Sequence, residues 1–454
     1  MGDILDGRTK GNRRLIFCGF FDILGNLNYF ERTDLMKKII AQKNPIIPCM
    51  GVCDPHIHIF GNKMWMYASH DASFENQTFV MHDWQIWSSE DCVEWTLENV
   101  IYPEDTFMGA SDCCWAVDCA ERNGKYYYYF SNGNRQTGVL VGDTPAGPFR
   151  DVLGKPLLDG TLTTTREYDP SVFRDDDGEY YIVFGGPKWC YGEGCGYYIA
   201  RLNEDMISLA ETPCYIDLDH MGDDKASLNK FNGRYYLSYG GFYAIADNVY
   251  GPYRFVGHTG ASNDHTSYCE WNSQLFNAIT VEDGGKYFRS GGLCYTHIRE
   301  NGELVIDPLI VEYGVGRYDS EWNRIEAEWY MKGANVRKQE NAGYHGFSVV
   351  CDKQATLMYP KVRNLSDKTV IEFVGMCNGV GGTIELYENN ENGALLGSVQ
   401  MNTRPVSYAW NKREKAVIRL KDHLPDETDI CVVLKPDKNS SISLDWFHFI
   451  KMPC

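Results

Sequence analysis

The sequence contains no apolar run approaching the roughly 20 residues that a membrane-spanning helix needs. Its opening, MGDILDGRTKGNRR, does not lead to an apolar core with a small-residue cleavage site, so it does not read as a secretory signal. We therefore expect a cytoplasmic protein without a membrane partner, or a secreted one whose leader has been removed.

Positive charge is also scarce. The 454 residues include 43 Lys and Arg against 62 Asp and Glu, a formal net charge of −19. Nucleic acids and anionic membranes bind basic surfaces, so neither is expected as a partner. The balance fits a neutral or cationic ligand, or serves solubility alone.

Paired cysteine motifs are missing as well. The 16 cysteines do not form repeated Cys-x-x-Cys pairs, and Cys113 and Cys114 are adjacent. Without a secretory signal, such cysteines are expected to be mostly small buried thiols rather than a disulfide framework. Their spacing gives little support to a zinc site.

What the sequence does contain is a recurring strand, turn and strand pattern rich in aromatic residues. Its clearest copy is YDPSVFRDDDGEYYIVFGG, in which an Asp-Pro pair precedes an apolar run, an acidic turn and a second run that ends on glycines. Imperfect copies recur about every 40 to 60 positions. Their lead residues are Asp54, Trp115, Asp169, Asp224 and His265.

Repetition at this period predicts a β-propeller of five four-stranded blades. Each innermost strand would then point its first residues into the central channel, where the lead residues converge. We expect an N-terminal extension over 1–47, with a short helix in TDLMKKIIAQK from Thr33, and the propeller over 48–320. The alternating strands over 321–454 are typical of a β-sandwich, so the chain is predicted to be all-β.

The first two-thirds of the sequence resembles glycoside hydrolase family 43, a family of five-bladed propellers, across roughly residues 48 to 318. The resemblance rests on the order and spacing of CDPHIHIF, IWSSEDCVEWT, WAVD, EYDPSVFRDDDGEYYIVFGG, RLNEDMISL, NGRYYLSY and HTSYCEW. It implies hydrolysis of glycosidic bonds in an oligosaccharide or polysaccharide.

Hydrolysis with inversion needs one carboxylic acid to protonate the leaving oxygen and one carboxylate to activate water. A third carboxylate can raise the pKa of the acid by like-charge repulsion. By resemblance, Asp54 matches the general base and Asp169 the aspartate that tunes and orients the acid. Taken singly, each could be only a turn residue before proline.

The general acid is where the sequence departs from the family, which usually has a glutamate eight residues before the turn of the fourth hairpin. Counting without a gap reaches Asp224, which we take as the acid. A one-residue gap would place Lys225 there instead, as a salt-bridge partner of Asp169. Asp223 and Glu270 are further candidates, and loss of hydrolysis is the remaining alternative.

The resemblance also suggests residues that bind metal and sugar. His265 matches a channel histidine that helps to hold calcium, although a lone histidine is as often a core residue. Aromatic faces pack on sugar rings, so the propeller candidates for substrate binding are Trp115, Asp118, Trp189 and Tyr243, each of which could equally belong to a blade core.

The C-terminal segment resembles a family 6 carbohydrate-binding module with a jelly-roll β-sandwich, through EAE, GGTIELYENNENGALLGSV and LDWFHF. By resemblance, Glu326, Glu328 and Asp445 would bind a structural calcium. Tyr344 and Trp410 are the nearest matches to its sugar-binding aromatics. The alternative is a packing domain that has lost its sugar site.

These observations predict an exo-acting, inverting glycosidase that removes a terminal arabinofuranosyl, xylosyl or galactosyl-type residue. No organic cofactor is implied, and the sequence does not set the oligomeric state. The alternative is a non-hydrolytic glycan-binding propeller. A carboxylate other than Asp54 and Asp169 across the pocket would distinguish the two.

Overall fold

The computed structural model describes residues 38–188, 195–261, 264–341, 346–402, 413–420 and 424–451, and almost all regular structure in these ranges is β-strand. Five antiparallel sheets formed by consecutive strands build the N-terminal part, and two sheets of six and five strands build the C-terminal part. The predicted all-β architecture of a five-bladed propeller followed by a β-sandwich is confirmed.

Each blade is a meander whose first strand is innermost, except that blade 1 gains one extra outer strand. Blade 1 contains β1 (Lys38–Ile40), β2 (Val52–Phe60), β3 (Lys63–Asp71), β4 (Met81–Ser89) and β5 (Glu94–Ile101). Blade 2 contains β6 (Cys114–Arg122), β7 (Lys125–Asn132) and β8 (Gln136–Gly142), with Arg150 bridging Val141 at its outer edge.

The remaining blades repeat the four-stranded pattern. Blade 3 contains β9 (Ser171–Arg174), β10 (Tyr180–Gly185), β11 (Tyr197–Arg201) and β12 (Cys214–Tyr215). Blade 4 contains β13 (Ala226–Phe231), β14 (Arg234–Tyr239), β15 (Phe242–Ala246) and β16 (Arg254–His258). Blade 5 contains β17 (Thr266–Trp271), β18 (Gln274–Val281), β19 (Ser290–Ile298) and β20 (Leu304–Val305).

The innermost strands close a ring around the channel. Strands β2, β6, β9, β13 and β17 neighbour one another in that order, and β17 packs against β2. Because a closed ring covers both faces of every blade, no blade has to bury its apolar faces alone. The beginnings of these five strands therefore surround one mouth of the channel.

The predicted N-terminal helix is wrong where the structure describes it. Lys38–Ile40 forms β1, which pairs antiparallel with β5, and the remainder of the predicted helix before Lys38 lies outside the described residues. The predicted extension is also built into the propeller. Asn44 is buried and its amide donates to the carbonyls of Leu293 and Val311 at 3.0 Å each. Pairing along an exposed sheet edge has overridden the helical pattern of a short segment.

The C-terminal sandwich packs two antiparallel sheets. One contains β21 (Ile325–Glu326), β23 (Arg337–Glu340), β24 (Phe347–Cys351), β26 (Val370–Asn378), β29 (Glu414–Arg419) and β31 (Ser441–Ile450). The other contains β22 (Lys332–Ala334), β25 (Ala355–Arg363), β27 (Gly381–Glu388), β28 (Leu395–Asn402) and β30 (Glu427–Pro436).

Short helical segments complete the fold. The α-helix α1 (Pro308–Tyr313) follows blade 5, and its N-cap Asp307 accepts a hydrogen bond from the N–H of Leu309. Two single-turn 3₁₀ helices span Pro103–Asp105 and Ala327–Trp329. Among the described residues, no helix has the length and apolarity that crossing a membrane requires.

Propeller and sandwich share one continuous hydrophobic core. Residues of blades 1 and 5 and of both sandwich sheets belong to the same cluster of buried side chains. Polar contacts add to it, since the Tyr318 hydroxyl donates to the Trp329 carbonyl at 2.6 Å and the Gln274 amide donates to the Tyr330 carbonyl at 2.7 Å. The sandwich is therefore packed firmly against blade 5.

A half-buried lysine places its ammonium inside this interface. The Lys338 ammonium donates to the Gln274 side-chain oxygen and lies 2.9 Å from Nδ1 of His297 and 5.6 Å from the centre of the Tyr330 ring. Burial lowers the pKa of Lys338 to about 7, although Glu328 opposes the shift. The folded protein thus takes up a proton on this lysine less readily than the unfolded chain.

We expect Lys338→Met to stabilise the protein at pH 7 by roughly 1–2 kcal/mol and to have less effect near pH 10. Because the pKa of Lys338 is lower in the folded state, the folded protein loses stability as pH falls from 10.5 through about 7. Methionine carries no titratable group, so the variant does not lose this stability. Thermal unfolding at the two pH values measures the difference. Lys332→Met, at an exposed position of β22, is the matched control. A variant that is less stable than wild type at pH 7 would contradict the assignment.

Candidate active site

Two aspartates mark the beginning of the innermost strands of blades 1 and 3. Asp54 and Asp169 both have a left-handed backbone, with φ of 50° and 54°. Each precedes a proline, and β2 shifts register against β3 between Cys53 and His56. Positive φ in a non-glycine residue persists only where its surroundings hold it, and a bulge redirects a side chain. Here both carboxylates become buried at the channel mouth.

His265 joins the carboxylates at this mouth. Its Nε2 lies 3.3 Å from Oδ1 of Asp224, 3.6 Å from Oδ1 of Asp264, 3.9 Å from Oδ1 of Asp54 and 3.9 Å from Oδ2 of Asp169. The structure thus brings together all three predicted catalytic aspartates and the predicted channel histidine.

The imidazole is charged in this environment. Burial opposes protonation, but Asp54 and Asp224 outweigh it and raise the pKa of His265 to about 10. Two of the ligand groups that could hold a metal include this residue, one with Asp54 and Asp264 and one with Asp169 and Asp224. A metal ion at either group would have to compete with the bound proton for Nε2.

Arg289 is the main site residue that the sequence did not reveal. Its guanidinium is buried and contacts both oxygens of Asp54 at 2.8 and 3.1 Å, both oxygens of Asp71 at 2.9 and 3.1 Å, and Asp264 at 2.6 Å. This bidentate contact fixes the orientation of the Asp54 carboxylate. The available signal was a single arginine in KYFRSGG, directly before an apolar strand.

Asp264 belongs to the same ion cluster. Burial favours its neutral form, but Arg289 and His265 outweigh burial and hold the pKa of Asp264 well below its usual range. The carboxylate is therefore ionised and serves as a bridge between the two cations. It is unsuited to donate a proton.

Asp169 is a buried aspartate of the site that favours its protonated form. Its backbone N–H donates to the Ser131 hydroxyl at 2.9 Å, which anchors the turn before β9. Burial raises the pKa of Asp169 to about 8, since the lowering by His265 is countered by Asp224 and Asp54. A carboxyl group with this pKa is largely protonated at neutral pH.

Asp224 is the most accessible of the three predicted catalytic carboxylates. Its side chain is 41% exposed, against 3% for Asp54 and for Asp169. The Tyr197 hydroxyl lies 2.8 Å from the Asp224 carbonyl and 2.6 Å from the Asp223 carbonyl, which fixes this loop. Asp224 is therefore the carboxylate that an incoming ligand would contact first.

Lys225 does not take the place of the acid. It is buried, and its ammonium donates to the Val117 carbonyl at 2.6 Å and to Nδ1 of His56 at 2.9 Å. Burial lowers the pKa of Lys225, opposed chiefly by Asp118 and Asp169. The geometry therefore matches the ungapped count, which placed Asp224 at the mouth. The alternative, a salt bridge between Lys225 and Asp169, is wrong.

We expect Lys225→Met to shift the pH profile of kcat/KM to higher pH by about one unit. Lys225 lowers the pKa of Asp169, so removing its charge lets that pKa rise and lets the proton stay bound at higher pH. Rates between pH 4 and 10 measure the shift. An unchanged profile, with unchanged folding by circular dichroism, would show that the ammonium has no electrostatic role.

The two fallback candidates for the acid differ in position. Burial and then Asp224 and Asp264 raise the pKa of Asp223 to about 6, and its carboxylate lies against Gly240 beside the mouth. Glu270 lies near the far end of β17, roughly 15 Å along the strand from its beginning. Asp223 remains a candidate, and the Glu270 prediction is wrong.

The prediction that Asp118 binds substrate is wrong. Its side chain is fully buried deeper in the channel, where Oδ1 lies 2.6 Å from Nε2 of His58 and 3.2 Å from Nε2 of His56. Oδ2 accepts the N–H of Val172 at 2.5 Å. Burial favours the neutral acid, but the two histidines lower the pKa of Asp118 to about 2. Its role is to tie blades 1, 2 and 3 together.

Tyr243 is also wrongly predicted as a sugar contact. The side chain is 3% exposed, stacks against Tyr236 with ring centres 6.5 Å apart, and accepts the N–H of Leu304 at 3.0 Å. It belongs to the core between blades 4 and 5. Strand alternation cannot tell a residue that faces a neighbouring blade from one that lines a pocket.

Trp115 is half-buried near the mouth. Its ring lies 5.8 Å from that of Phe79 and 6.3 Å from that of Tyr168, the residue before Asp169. Its contact with sugar stays a prediction. Three further predicted sugar contacts lie outside the described residues, namely Trp189, Tyr344 and Trp410.

The predicted calcium ligands of the sandwich do not converge. Glu326 pairs with Arg324 at 2.6 Å, and Asp445 pairs with Arg413. Glu328 is buried with Oε2 unpartnered, and burial together with Glu326 raises its pKa well above the usual range. The three side chains are absent from the groups of close ligand atoms among the described residues. As arranged, they do not form a calcium site, and the prediction is wrong for this set.

The chain is similar to known carbohydrate-active proteins. The profile of glycosyl hydrolases family 43 matches residues 42–254. A β-D-galactofuranosidase of Aspergillus niger is 31% identical over 311 residues, which cover 60% of this chain and 87% of that protein. A solved β-xylosidase/α-arabinofuranosidase from a compost microbial metagenome, in complex with xylotriose, is 27% identical with a TM-score of 0.52 over 59% of this chain and 97% of that one.

The fold of the whole chain has a counterpart as well. A solved arabinoxylan arabinofuranohydrolase of Bacillus subtilis aligns over 91% of this chain and 99% of that chain, with a TM-score of 0.54 at 19% identity. A five-bladed propeller whose channel mouth gathers several carboxylates is the framework of a glycoside hydrolase. The chain belongs to glycosyl hydrolases family 43.

Proposed function

We propose that the chain is an exo-acting, inverting glycosidase that removes a terminal arabinofuranosyl, xylosyl or galactosyl-type residue from an oligosaccharide or polysaccharide. The observation that carries the proposal is the meeting of Asp54, Asp169 and Asp224 around His265. The named activities of the relatives, a galactofuranosidase and a xylosidase/arabinofuranosidase, support this range of terminal sugars.

Asp54 acts as the general base in this proposal. Arg289 contacts both of its oxygens, which holds the carboxylate in one orientation. The remaining lone pairs can accept a proton from the attacking water. His265, 3.9 Å away, keeps positive charge beside the same carboxylate.

Asp224 acts as the general acid. In the free enzyme the proton resides on the buried Asp169, whose raised pKa reflects in part the neighbouring Asp224. A bound sugar would cover the exposed Asp224 and place its carboxyl group beside the leaving oxygen, so that the proton held by Asp169 can pass through Asp224 to that oxygen. Asp223, with a pKa raised to about 6, is the second candidate.

The depth of the site supports exo action. Below the carboxylates, the buried Lys225 and His56 occupy the channel and bond to each other at 2.9 Å. A glycan chain therefore cannot thread through the propeller axis. A pocket closed at this depth suits the end of a chain.

The C-terminal sandwich is proposed to be a carbohydrate-binding module of the family 6 type. Its two-sheet architecture and tight contact with blade 5 support an auxiliary domain that stays oriented relative to the catalytic mouth. Binding of xylo-oligosaccharides to the catalytically inactive Asp54→Asn protein, with two sites per chain, would support this role. A single site at the propeller would contradict it.

His265 and its neighbouring carboxylates are candidate ligands for a calcium ion. Such an ion would stabilise the fold rather than take part in turnover. Arg289, His265 and Lys225 already neutralise the carboxylates of the mouth. We expect dialysis against EDTA to change kcat/KM by less than about twofold. A large loss of activity that calcium restores would contradict this expectation.

The non-hydrolytic alternative is disfavoured because carboxylates beyond Asp54 and Asp169 stand at the mouth. A screen of nitrophenyl furanosides and pyranosides tests the choice. Turnover of an α-arabinofuranoside, β-xyloside or β-galactofuranoside supports hydrolysis. Absence of turnover on all substrates, with sugar binding intact, would favour the glycan-binding alternative.

A further inference from the structure

One tyrosine contacts both ends of the loop that carries Asp224. This loop, residues 216–224, connects β12 of blade 3 to β13 of blade 4, and we call it the acid loop. Tyr197 is the first residue of β11. Its backbone carbonyl accepts the N–H of Ile216 at 2.9 Å, and its hydroxyl lies at the other end of the loop, beside Asp223 and Asp224. Tyr197 thus ties the beginning of the acid loop to its end.

The Tyr197 hydroxyl uses both its acceptor and its donor capacity on the backbone of the two aspartates. It accepts the N–H of Asp223 at 3.0 Å, and its own proton can be shared between the carbonyls of Asp223 and Asp224, at 2.6 and 2.8 Å. Tyr197 is only 2% exposed, so removing the hydroxyl would leave these backbone groups without a buried partner that water could readily replace.

Glycine at position 222 lets the acid loop come this close to the ring. A Cβ atom at Gly222 would lie 3.1 Å from the Tyr197 hydroxyl oxygen and 3.4 Å from Cα of Pro187. The φ angle of Gly222 is 79°, in the left-handed region that favours glycine. The backbone at position 222 and the buried hydroxyl therefore specify the same position of the loop.

The fixed backbone directs two neighbouring carboxylates to different places. Asp223 lies against the turn between β14 and β15, where a Cβ atom at Gly240 would be 2.8 Å from its Oδ2. Asp224 points into the mouth, where its Oδ1 lies 3.3 Å from Nε2 of His265. Because the hydrogen bonds of Tyr197 fix the peptide groups of both residues, they also determine which carboxylate faces the mouth.

We propose that Tyr197 is a positioning residue for the general acid. Because Tyr197 is buried, it acts through the backbone of the acid loop rather than on the sugar. A reacting group that is misplaced by about 1 Å can lose roughly 10²-fold in rate. This assignment rests on the proposed glycosidase function, and it gives a residue of blade 3 a role in the action of Asp224 at the start of blade 4.

Tyr197→Phe removes only the hydroxyl and tests the proposal through the leaving group. The substrates are a dinitrophenyl glycoside and an oligosaccharide with the same terminal sugar, chosen from those that the wild-type protein hydrolyses. We expect kcat to fall about 10- to 100-fold on the oligosaccharide and less than about threefold on the dinitrophenyl glycoside, whose leaving group needs no proton.

Tyr239→Phe is the matched control. The ring of Tyr239 packs against that of Tyr197 with centres 5.8 Å apart, and its buried hydroxyl has no hydrogen-bond partner among the described residues. Loss of this second hydroxyl should leave both rates unchanged. The control therefore separates the hydrogen bonds of Tyr197 from a general effect of losing a buried phenol oxygen.

A double variant separates positioning from folding. In the Asp224→Asn protein, adding Tyr197→Phe should lower the rate on the oligosaccharide by less than about a further twofold, because no acid is left to position. Equal losses on the two substrates in the single variant would overturn the proposal. So would a full additional loss in the double variant, since Tyr197 would then act independently of Asp224.

Amide hydrogen exchange measures the contacts of Tyr197 without turnover. Exchange in the acid loop should be at least about tenfold faster in Tyr197→Phe than in the wild-type protein, and unchanged in Tyr239→Phe. Unchanged exchange in Tyr197→Phe would overturn the proposal even for an active enzyme. Absence of turnover by the wild-type protein would instead refute the glycosidase function, and with it the need for a positioned acid.

Discussion

Replacing Asp54 by asparagine is expected to lower kcat by about three to four orders of magnitude on every substrate. The amide keeps the volume of the side chain but cannot accept the proton of the attacking water. Because water must be activated whatever the leaving group, activated aryl glycosides and oligosaccharides should be affected alike. Initial rates with a nitrophenyl glycoside and a xylo-oligosaccharide measure the effect.

The control for this variant is Asp143→Asn, an exposed aspartate of blade 2 whose partner is Lys125. It should keep wild-type kcat. Since Asp54 is also an ion-pair partner of Arg289, thermal unfolding has to accompany the kinetics. A folded Asp54→Asn protein with more than about one-tenth of wild-type kcat would exclude Asp54 as the base.

Asp224→Asn is expected to show strong dependence on the leaving group. Hydrolysis of an unactivated oligosaccharide should fall by about 10²- to 10⁴-fold, because its leaving oxygen needs a proton. A dinitrophenyl glycoside leaves as a stable anion, so its hydrolysis should fall less than tenfold. The ratio of the two effects, rather than either rate alone, identifies the acid.

Asp223→Asn is the matched comparison, since the residue is adjacent and burial raises its pKa to about 6. We expect this variant to change the hydrolysis rates of both substrates to a similar, small extent. The reverse pattern, with the leaving-group dependence in Asp223→Asn and normal rates in Asp224→Asn, would transfer the role of acid to Asp223.

The convergence of the lead residues could be predicted because a propeller repeats one register. The starts of the inner strands surround one mouth, so residues in equivalent positions meet whatever their separation in sequence. Asp54, Asp169, Asp224 and His265 were found in this way. The choice between Asp224 and Lys225 depended instead on an ungapped count from the fourth hairpin turn, and it was the structure that placed the Lys225 ammonium inside the channel.

Arg289 could not be found by this route. It precedes β19, the third strand of blade 5, and reaches the mouth through the length of its side chain. Its partners Asp71 and Asp264 likewise lie outside the lead positions. Long side chains that cross between strands leave no periodic trace in the sequence, although they determine the charge of the site.

Errors among the aromatic and acidic candidates have a common physical origin. Asp118 and Tyr243 alternate correctly within their strands, but one faces the closed channel and the other faces the next blade. Period-two alternation identifies the two faces of a sheet and does not say what covers each face. In a closed ring of sheets, both faces are buried.

The stereochemistry of the first product tests the central claim most directly. Proton NMR during hydrolysis of a configurationally defined glycoside resolves the two anomers before they equilibrate. If Asp54 activates a water molecule that attacks from the side opposite the leaving group, the anomer of inverted configuration appears first. Initial release of the retained anomer would mean that an aspartate attacks the sugar itself, and would contradict the account.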